Sequence, residues 1–522
     1  MPEITSSFCV LVSLVPAITA FIILIFGRTR ILRETTALIG MIITFIISVI
    51  ILLKTQVSIL TALNNQLRMD SLSGLVSSLI GLIGLVVIIY SFKYIQHEKN
   101  KGIITEKKIK SFYWQVMLFI STMLLATTTN NIIMLWVIIE ATTLASAILV
   151  AFYWNKNALE AGYKYLMLLT VGISFALFGC ILLYSGAAFH VTNQDPLQIT
   201  VIASVAKSGL IPKSIVLLSV AFLIVGFGTK AGIAPFHAWL PDAHAEAPTP
   251  VSALLSGIMI KVGIYALVRT ISIFYSSFSI ISLFVVILGI FTMIVGVFMM
   301  FIQEDLKRFL AYSSVSQVGY IIMGFGLAGC MVPAAASALR NGAYLGMYGS
   351  IFHIVNHSII KSLLFLCVGA VVYATGIRRI DELGGLGRKM PITSFCFVVG
   401  GLAISGIPLL NGFMSKFTLF LAGAKVPGML WTTIIAIICS ILTLACFFHV
   451  SYKIFMGPVP PAIKKLHIKE VPVSMWLVMF ILCLLCFFIG IYPQAIYPIL
   501  DKATNCVLNV ISQGTVPVGL SP

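Results

Sequence analysis

Seven side chains stand in stretches of sequence that otherwise read as apolar, and their types suit proton exchange: Glu140, Lys230, Lys261, His353, His357, Lys361 and Lys416. Glu140 lies within Leu135-Trp-Val-Ile-Ile-Glu-Ala-Thr-Thr143, and Lys261 is central to the apolar stretch 249–270. His353, His357 and Lys361 are spaced i, i+4 and i+8, which puts them on one face of a helix. A charge at the centre of a bilayer costs ~3 kcal/mol on insertion scales, so several of them in one chain call for a function. Desolvation disfavours the charged form of each group, and a nearby opposite charge restores it. Moving one charge along such a row therefore changes the proton affinity of its neighbours. Histidine titrates near neutrality without help. On this chemistry Glu140 and Lys230 are expected to form a switchable pair. When the pair separates, a proton passes through Lys261 or the histidines toward Lys416, with Ser405, Asn411 and Ser415 completing the path. The structural alternatives are an ion pair among Glu140, Lys230 and Lys416, and helix-bridging hydrogen bonds from His353 and His357.

The elements that must hold these groups are set by composition. Of 522 residues, 60% are hydrophobic and 9% charged, with mean hydropathy +1.08. Soluble domains carry about 25% charged residues, whereas repeated apolar runs of about 20 residues match a bilayer core. The fold class is therefore all-α polytopic membrane protein, with about 14 transmembrane helices. Two of these, spans seven and twelve, are interrupted. Gly232, Pro235 and Pro241 break the segment Gly226–His244, and Gly406 and Pro408 break Ser405–Lys416. Freed backbone groups at membrane depth are tolerated only against protein or a wet cavity, and paired broken helices in two halves mark ion sites. The breaks lie five spans apart, and an odd period inverts the repeat. The expected organisation is an N-terminal three-helix segment (1–110), a first repeat of helices four to eight (111–270), a second, inverted repeat of helices nine to thirteen (271–455), and a C-terminal helix and tail (456–522).

The formal charge of +17 does not indicate nucleic acid, because Lys and Arg sit in short loops. They concentrate in loops after odd-numbered spans, such as Lys93–Lys110, Arg378–Lys389 and Lys464–Lys469. The positive-inside rule then places those loops in the cytoplasm and both termini outside. Lys54, Lys93 and Lys164, near span ends, read as snorkelling side chains. The basic loop 93–110 suits anionic lipid. Asp242, His244 and Glu246 fall in the turn between spans seven and eight, where capping competes with transport, and His449 reads as structural. The ten cysteines are scattered, and Cys483 and Cys486 lack partners at metal-ligand spacing, so no metal and no cofactor is expected in this chain. The apolar run from Phe8 to Phe26 reads as a retained first span rather than a targeting segment. No nucleotide loop or catalytic centre is evident.

Four segments together resemble the antiporter-like subunits of respiratory complex I, membrane-bound hydrogenases and multisubunit sodium/proton antiporters. They are Lys230–Ser256 (beginning Lys-Ala-Gly-Ile-Ala-Pro-Phe-His-Ala-Trp-Leu-Pro), Asp305–Gln317, His353-Ile-Val-Asn-His-Ser-Ile-Ile-Lys361, and Gly406-Ile-Pro-Leu-Leu-Asn-Gly-Phe-Met-Ser-Lys416. The resemblance covers roughly residues 70 to 455. It implies fourteen helices with two inverted five-helix units, and proton-transfer roles for the seven residues above. It also implies membrane partner subunits and peripheral catalytic subunits that carry iron–sulfur, nickel–iron or flavin groups, with localisation in the bacterial inner membrane. The run Glu140-Ala-Thr-Thr-Leu-Ala-Ser146, with Glu160-Ala-Gly-Tyr-Lys-Tyr-Leu166, looks most like the hydrogenase-4 component F type. Lys416 departs from the glutamate that the M-type subunits of complex I carry there, and the chain lacks the long lateral helix of the L type. Open readings are a hydrogenase-like proton-translocating subunit, a sodium/proton antiporter subunit, an energy-coupling subunit for inorganic-carbon uptake, and a structural anchor.

Overall fold

A computed structural model describes residues 1–275, 279–330 and 337–512. The tail beyond Ser512, and parts of the expected second repeat at 276–278 and 331–336, lie outside the described residues. The chain begins with α1 (Phe8–Phe26), α2 (Arg30–Lys54), α3 (Ser71–Asn100), α4 (Glu106–Thr128), α5 (Ile132–Val150) and α6 (Lys156–Ala188). A short α7 (Ile199–Lys207) precedes α8 (Lys213–Ala231), α9 (Trp239–Glu246), α10 (Thr249–Leu254) and α11 (Ile260–Ile271). Then come α12 (Ser279–Phe301), α13 (Leu306–Gly329), α14 (Ser337–Thr375), α15 (Pro391–Ser405), α16 (Asn411–Lys425) and α17 (Leu430–Ser451). A single-turn α18 (Pro461–Lys464), α19 (Val473–Ile491) and α20 (Tyr497–Ser512) complete the chain.

Among the described residues, thirteen helices are long and apolar enough to cross a membrane, and α15 is a shorter apolar helix beside the second break. Side-chain oxygens of Thr29, Asp70, Asn131, Asn155 and Asp305 accept from backbone N–H groups in the first turns of α2, α3, α5, α6 and α13, satisfying donors the helices cannot pair internally.

The helices sort into an inner and an outer set. The most apolar window of the segment Thr249–Phe274 is 100% buried and that of α13 94%, whereas α1, α2, α6, α17 and α19 bury only 39%. Phe21, Ile31, Phe178, Ile441 and other large apolar side chains point outward from the outer set, a surface that only lipid or other membrane subunits can cover. At the centre, α14 packs against α13, α16, α15 and α19. The tightest pair is α12 on α13. Gly289 and Gly296 of one helix face the backbone of the other, as do Gly319 and Gly326 in return. A side chain at any of these four would collide with that backbone, and small residues are what let membrane helices approach so closely.

Three features were not legible as sequence. Strands β1 (Glu3–Thr5), β2 (Ile59–Ala62) and β3 (Leu67–Met69) form a small sheet in that order, with β1 parallel and β3 antiparallel to β2. Residues Leu255–Met259 form a π turn inside the eighth apolar stretch. Asp242, His244 and Glu246, expected in a turn, lie on the helix α9; the backbone resumes helical geometry at Trp239, once the proline nearest the break is passed. The N-terminus, the sheet, α7 and α20 all meet at one face of the molecule.

Candidate functional site

The two expected breaks are present, and they are the same device. Helix α8 ends with Gly232 left-handed at φ 76°, and α15 ends with Gly406 at φ 85°, a conformation glycine adopts without a Cβ penalty. At the first, Gly232 N–H donates to the Thr229 carbonyl (3.1 Å) and Ile233 N–H to the Gly228 carbonyl (3.0 Å). At the second, Gly406 N–H donates to the Ala403 carbonyl (3.1 Å) and Ile407 N–H to the Leu402 carbonyl (3.1 Å). Both are Schellman caps, each a Gly-Ile pair followed within two residues by a proline that bars continuation of the helix. The cap satisfies carbonyls that would otherwise be stranded at membrane depth.

Lys230, on the last turn of α8, is fully buried. Its ammonium donates to Thr143 Oγ1 at 2.8 Å and lies 5.9 Å from the centre of the Tyr165 ring. Glu140 stands three residues before Thr143, on the same face of α5. One of its carboxylate oxygens accepts from Thr170 Oγ1 at 2.8 Å, and the other, buried, has no protein partner. No ion pair joins Glu140 to Lys230 among the described residues. The structure thus holds the acid and the base on separate threonines, Glu140 on Thr170 and Lys230 on Thr143, one turn of α5 from Glu140. A short series of hydroxyls begins beside Thr143, whose carbonyl accepts from Ser146 Oγ at 3.2 Å. Ser146 Oγ lies 2.6 Å from Tyr165 Oη, which points at Met259 Sδ at 3.1 Å. The series stops there, because a thioether has no proton to pass on.

Lys261 and Lys361 are tied together by a second network. Lys261 donates to the Ser256 carbonyl, a group in the π turn. Ser256 Oγ meets Ser314 Oγ at 2.7 Å, and Ser314 donates to the Leu310 carbonyl at 3.0 Å. That carbonyl also receives the Lys361 ammonium at 2.6 Å, which bonds Ser313 as well. As the i, i+4, i+8 spacing required, His353, His357 and Lys361 share one face of α14, with the two imidazoles stacked at 5.9 Å and 6°. His357 is fully buried, and neither ring nitrogen has a protein partner. His353 has Nε2 3.1 Å from Gln317 Oε1 and Nδ1 3.0 Å from Ser415 Oγ. A neutral ring satisfies both partners, donating from Nε2 and accepting at Nδ1. The Ser415 hydroxyl also reaches the Gly412 carbonyl at 3.2 Å, so its proton has two alternative acceptors.

Next to Ser415 comes Lys416, 1% exposed. Its ammonium donates to Ser440 Oγ at 3.1 Å and lies 4.5 Å from the Tyr320 ring centre. Ser440 in turn donates to the Ser405 carbonyl at 2.7 Å, on the final residue of α15 before the break. Of the three polar groups expected to finish this path, Ser415 and Ser405 are engaged, while both side-chain polar atoms of buried Asn411 lack protein partners.

Sequence reasoning missed the hydroxyls that carry these contacts, chiefly Thr143, Ser256, Ser314 and Ser440. Apolar spans contain many Ser and Thr, and only packing tells which point at a lysine. It also undervalued His244, which is fully buried with both ring nitrogens unpartnered and stacks at 4.8 Å on Phe365, the ring that also faces the Lys361 ammonium at 5.6 Å. Lys164, expected to reach for the interface, pairs with Glu160 at 2.7 Å and Asp242 at 3.6 Å. Among the described residues no group of three or more His, Cys, Asp or Glu side chains is placed to hold a metal ion. Orphaned buried polar atoms are uncommon in folded proteins and ask for an explanation; here several of them fall along one row.

Among the described residues, thirteen apolar helices around a buried line of lysines and histidines define a multi-span membrane protein of the ion-transferring type. The family described as NADH:quinone oxidoreductase/Mrp antiporter matches residues 129–443, and the complex I chain 5 N-terminus family matches residues 58–102. A hydrogenase-4 component F homolog of Methylacidiphilum infernorum is 30% identical over 351 residues, 67% of this chain and 70% of that protein. A Na(+)/H(+) antiporter component of Alkalihalophilus pseudofirmus is 32% identical over 464 residues, 86% of this chain and 55% of that protein; the chain spans about half of that larger relative. The fold is shared with a chain of the membrane-bound sulfane sulfur reductase, an archaeal respiratory membrane complex, at TM-score 0.81 and 24% identity, covering 97% of this chain and 98% of that one. The chain belongs to the proton-translocating, antiporter-like family of membrane subunits found in complex I, hydrogenases and Mrp antiporters. Its relatives are components of multisubunit membrane complexes.

Proposed function

We propose that this chain moves protons across a bacterial cytoplasmic membrane as one component of a hydrogenase-like or complex-I-like oxidoreductase. The observation that carries the reading is the row itself. Lys261, His353, His357 and Lys361 are buried between two identically capped breaks, with buried Lys230 and Lys416 at the ends. Glu140 and Lys230 form the switch. When Glu140 draws near, it holds the ammonium charged; when Thr170 holds it, its pull on Lys230 weakens and Lys230 passes its proton on. The proton then crosses Lys261, Lys361, His357 and His353 to Lys416. The two breaks belong to two inverted five-helix repeats, 111–270 and 271–455, an arrangement supported by their shared cap. Both termini lie on the periplasmic side, a placement supported by the loop charges and by the meeting of β1 and α20 at one face. Partner subunits bring the peripheral catalytic chemistry, with iron–sulfur, nickel–iron or flavin groups, and drive the Glu140 switch.

The test is proton uptake by inverted vesicles holding the assembled complex. Lys230→Ala and Glu140→Gln should each depress it strongly. If both variants pump like the parent, the reading fails.

A second reading, in which the chain serves a sodium/proton antiporter, is favoured by the name of the Alkalihalophilus relative. The row offers one carboxylate, Glu140, whereas hard cations are held by several oxygen ligands. Proton uptake that requires sodium would select this reading.

A further inference from the structure

We propose that Gln317 is a positioning residue for His353. It holds the ring in one tautomer, so that His353 takes up and releases its proton at Nδ1 alone, on the edge that faces Ser415 and the second break. The proposal rests on the proton-transfer reading above. Gln317 lies in the middle of α13 and is fully buried, as is His353 opposite it on α14. Packing within two turns fixes how these side chains meet. A Cβ at Gly346 would sit 2.7 Å from the Gly324 carbonyl oxygen, so α13 and α14 approach backbone to backbone there, as small residues permit. Nearer the pair, Ser350 Oγ donates to the Ile321 carbonyl at 2.8 Å and clasps the same two helices.

At that register Gln317 Oε1 lies 3.1 Å from His353 Nε2. An amide oxygen accepts a hydrogen bond but is too weak a base to take the proton itself, so Nε2–H stays on the ring in both charge states. The nitrogen of an imidazole that remains basic is set by the bond the other one makes. Here it is Nδ1, 3.0 Å from Ser415 Oγ. Ser415 suits both states. Its hydroxyl donates to Nδ1 of the neutral ring, and it turns to the Gly412 carbonyl, 3.2 Å away, when the charged ring donates to it. One N–H bond forms at Nδ1 on uptake and the same bond breaks on release, while Gln317 gains and loses nothing. The faces of the ring lie against His357 and Tyr320, each at 5.9 Å between centres, and a ring face presents no nitrogen lone pair. The other charged or titratable neighbours are Lys416 on α16, Lys261 on α11 and Lys361, two turns along α14. A bond that only held α13 to α14 would be indifferent to which nitrogen carries the hydrogen.

Proton flux against pH is measured in proteoliposomes holding the whole complex, normalised to assembled complex on native gels. Gln317→Met keeps the side-chain length but removes the acceptor, which lets the hydrogen move to Nδ1. Flux should fall by about tenfold. That variant adds no charge, so its loss cannot come from an altered Lys416 or Lys261. Gln317→Glu restores an oxygen for Nε2–H. Its flux should exceed that of Gln317→Met at alkaline pH. Its profile should also move upward by about one pH unit or more, because a carboxylate favours the charged ring and delays release to higher pH. The inference is overturned if Gln317→Met matches the parent at every pH. It is equally overturned if Gln317→Glu is nowhere better than Gln317→Met, which is what a buried charge at a merely structural position would give. A Lys230→Ala complex that pumps like the parent would instead refute the underlying proton-transfer reading.

Discussion

At the first break α8 ends on Gly232 and carries its own lysine two residues inside the cap. At the second, α15 ends on Gly406 and the lysine comes from the helix that follows, α16. The backbone solution is common to both, but the side-chain surroundings differ. Lys230 rests on a threonine one turn from a carboxylate. Lys416 rests on Ser440 and an aromatic face. In the proposed mechanism the difference assigns work: a carboxylate that can approach or withdraw would make the first break a switch. Hydroxyls and a ring, which carry no charge to move, would make the second a relay that responds to its neighbours. The packing of the glycines adds to this. A Cβ at Gly406 would sit 3.0 Å from Lys416 Cδ, whereas one at Gly232 would meet Leu240. The Lys416 side chain therefore packs against the glycine of its break, and the Lys230 side chain does not.

If the first break is the switch, Lys230→Ala should have the largest effect, lowering proton uptake in inverted vesicles by about a hundredfold or more. Lys416→Ala, which leaves the switch intact, should cost about tenfold in the same assay. Equal losses would erase the distinction. Glu140→Gln keeps the Thr170 hydrogen bond but removes the charge, and should cost about tenfold, while Thr170→Val should cost less than that. A smaller contrast concerns the caps. Gly232→Ala and Gly406→Ala should each destabilise by ~1–2 kcal/mol, the cost of a left-handed residue with a Cβ, read as a drop in the melting temperature of the detergent-solubilised complex. Only Gly406→Ala should also slow transport per assembled complex, because only there is the added methyl against the lysine. The smallest effect belongs to Ser440→Ala, a loss of about threefold, matching the net worth of one hydrogen bond. Thr143→Val should exceed it, since Thr143 carries the hydrogen bond to the buried Lys230 ammonium.

Much of this was legible in the sequence because bilayer physics is unforgiving. Apolar runs, Gly–Pro interruptions and charges inside spans each have few interpretations at membrane depth. The i, i+4, i+8 pattern from His353 to Lys361 carried over directly, since a helix fixes which residues share a face. Span limits came out short where a run ended in charge, since α3 continues through Lys93 to Asn100 and α4 begins at Glu106. They came out poorly around Trp239, where the chain re-enters a helix between two prolines. The small sheet, α7 and the π turn had no periodic signal, because each depends on contacts between segments distant in the chain.

The sequence by itself determined that this is a multi-span membrane protein with two broken helices and a set of buried ionisable groups, because the cost of placing a charge or a free backbone group in lipid is local to the residue that carries it. The tertiary structure alone decided which hydroxyl meets which lysine and that the Glu140 carboxylate bonds Thr170 rather than Lys230. Those facts depend on the rotation and approach of neighbouring helices. No single segment encodes them, since a serine on an apolar helix reads the same whether it faces lipid, a carbonyl or an ammonium.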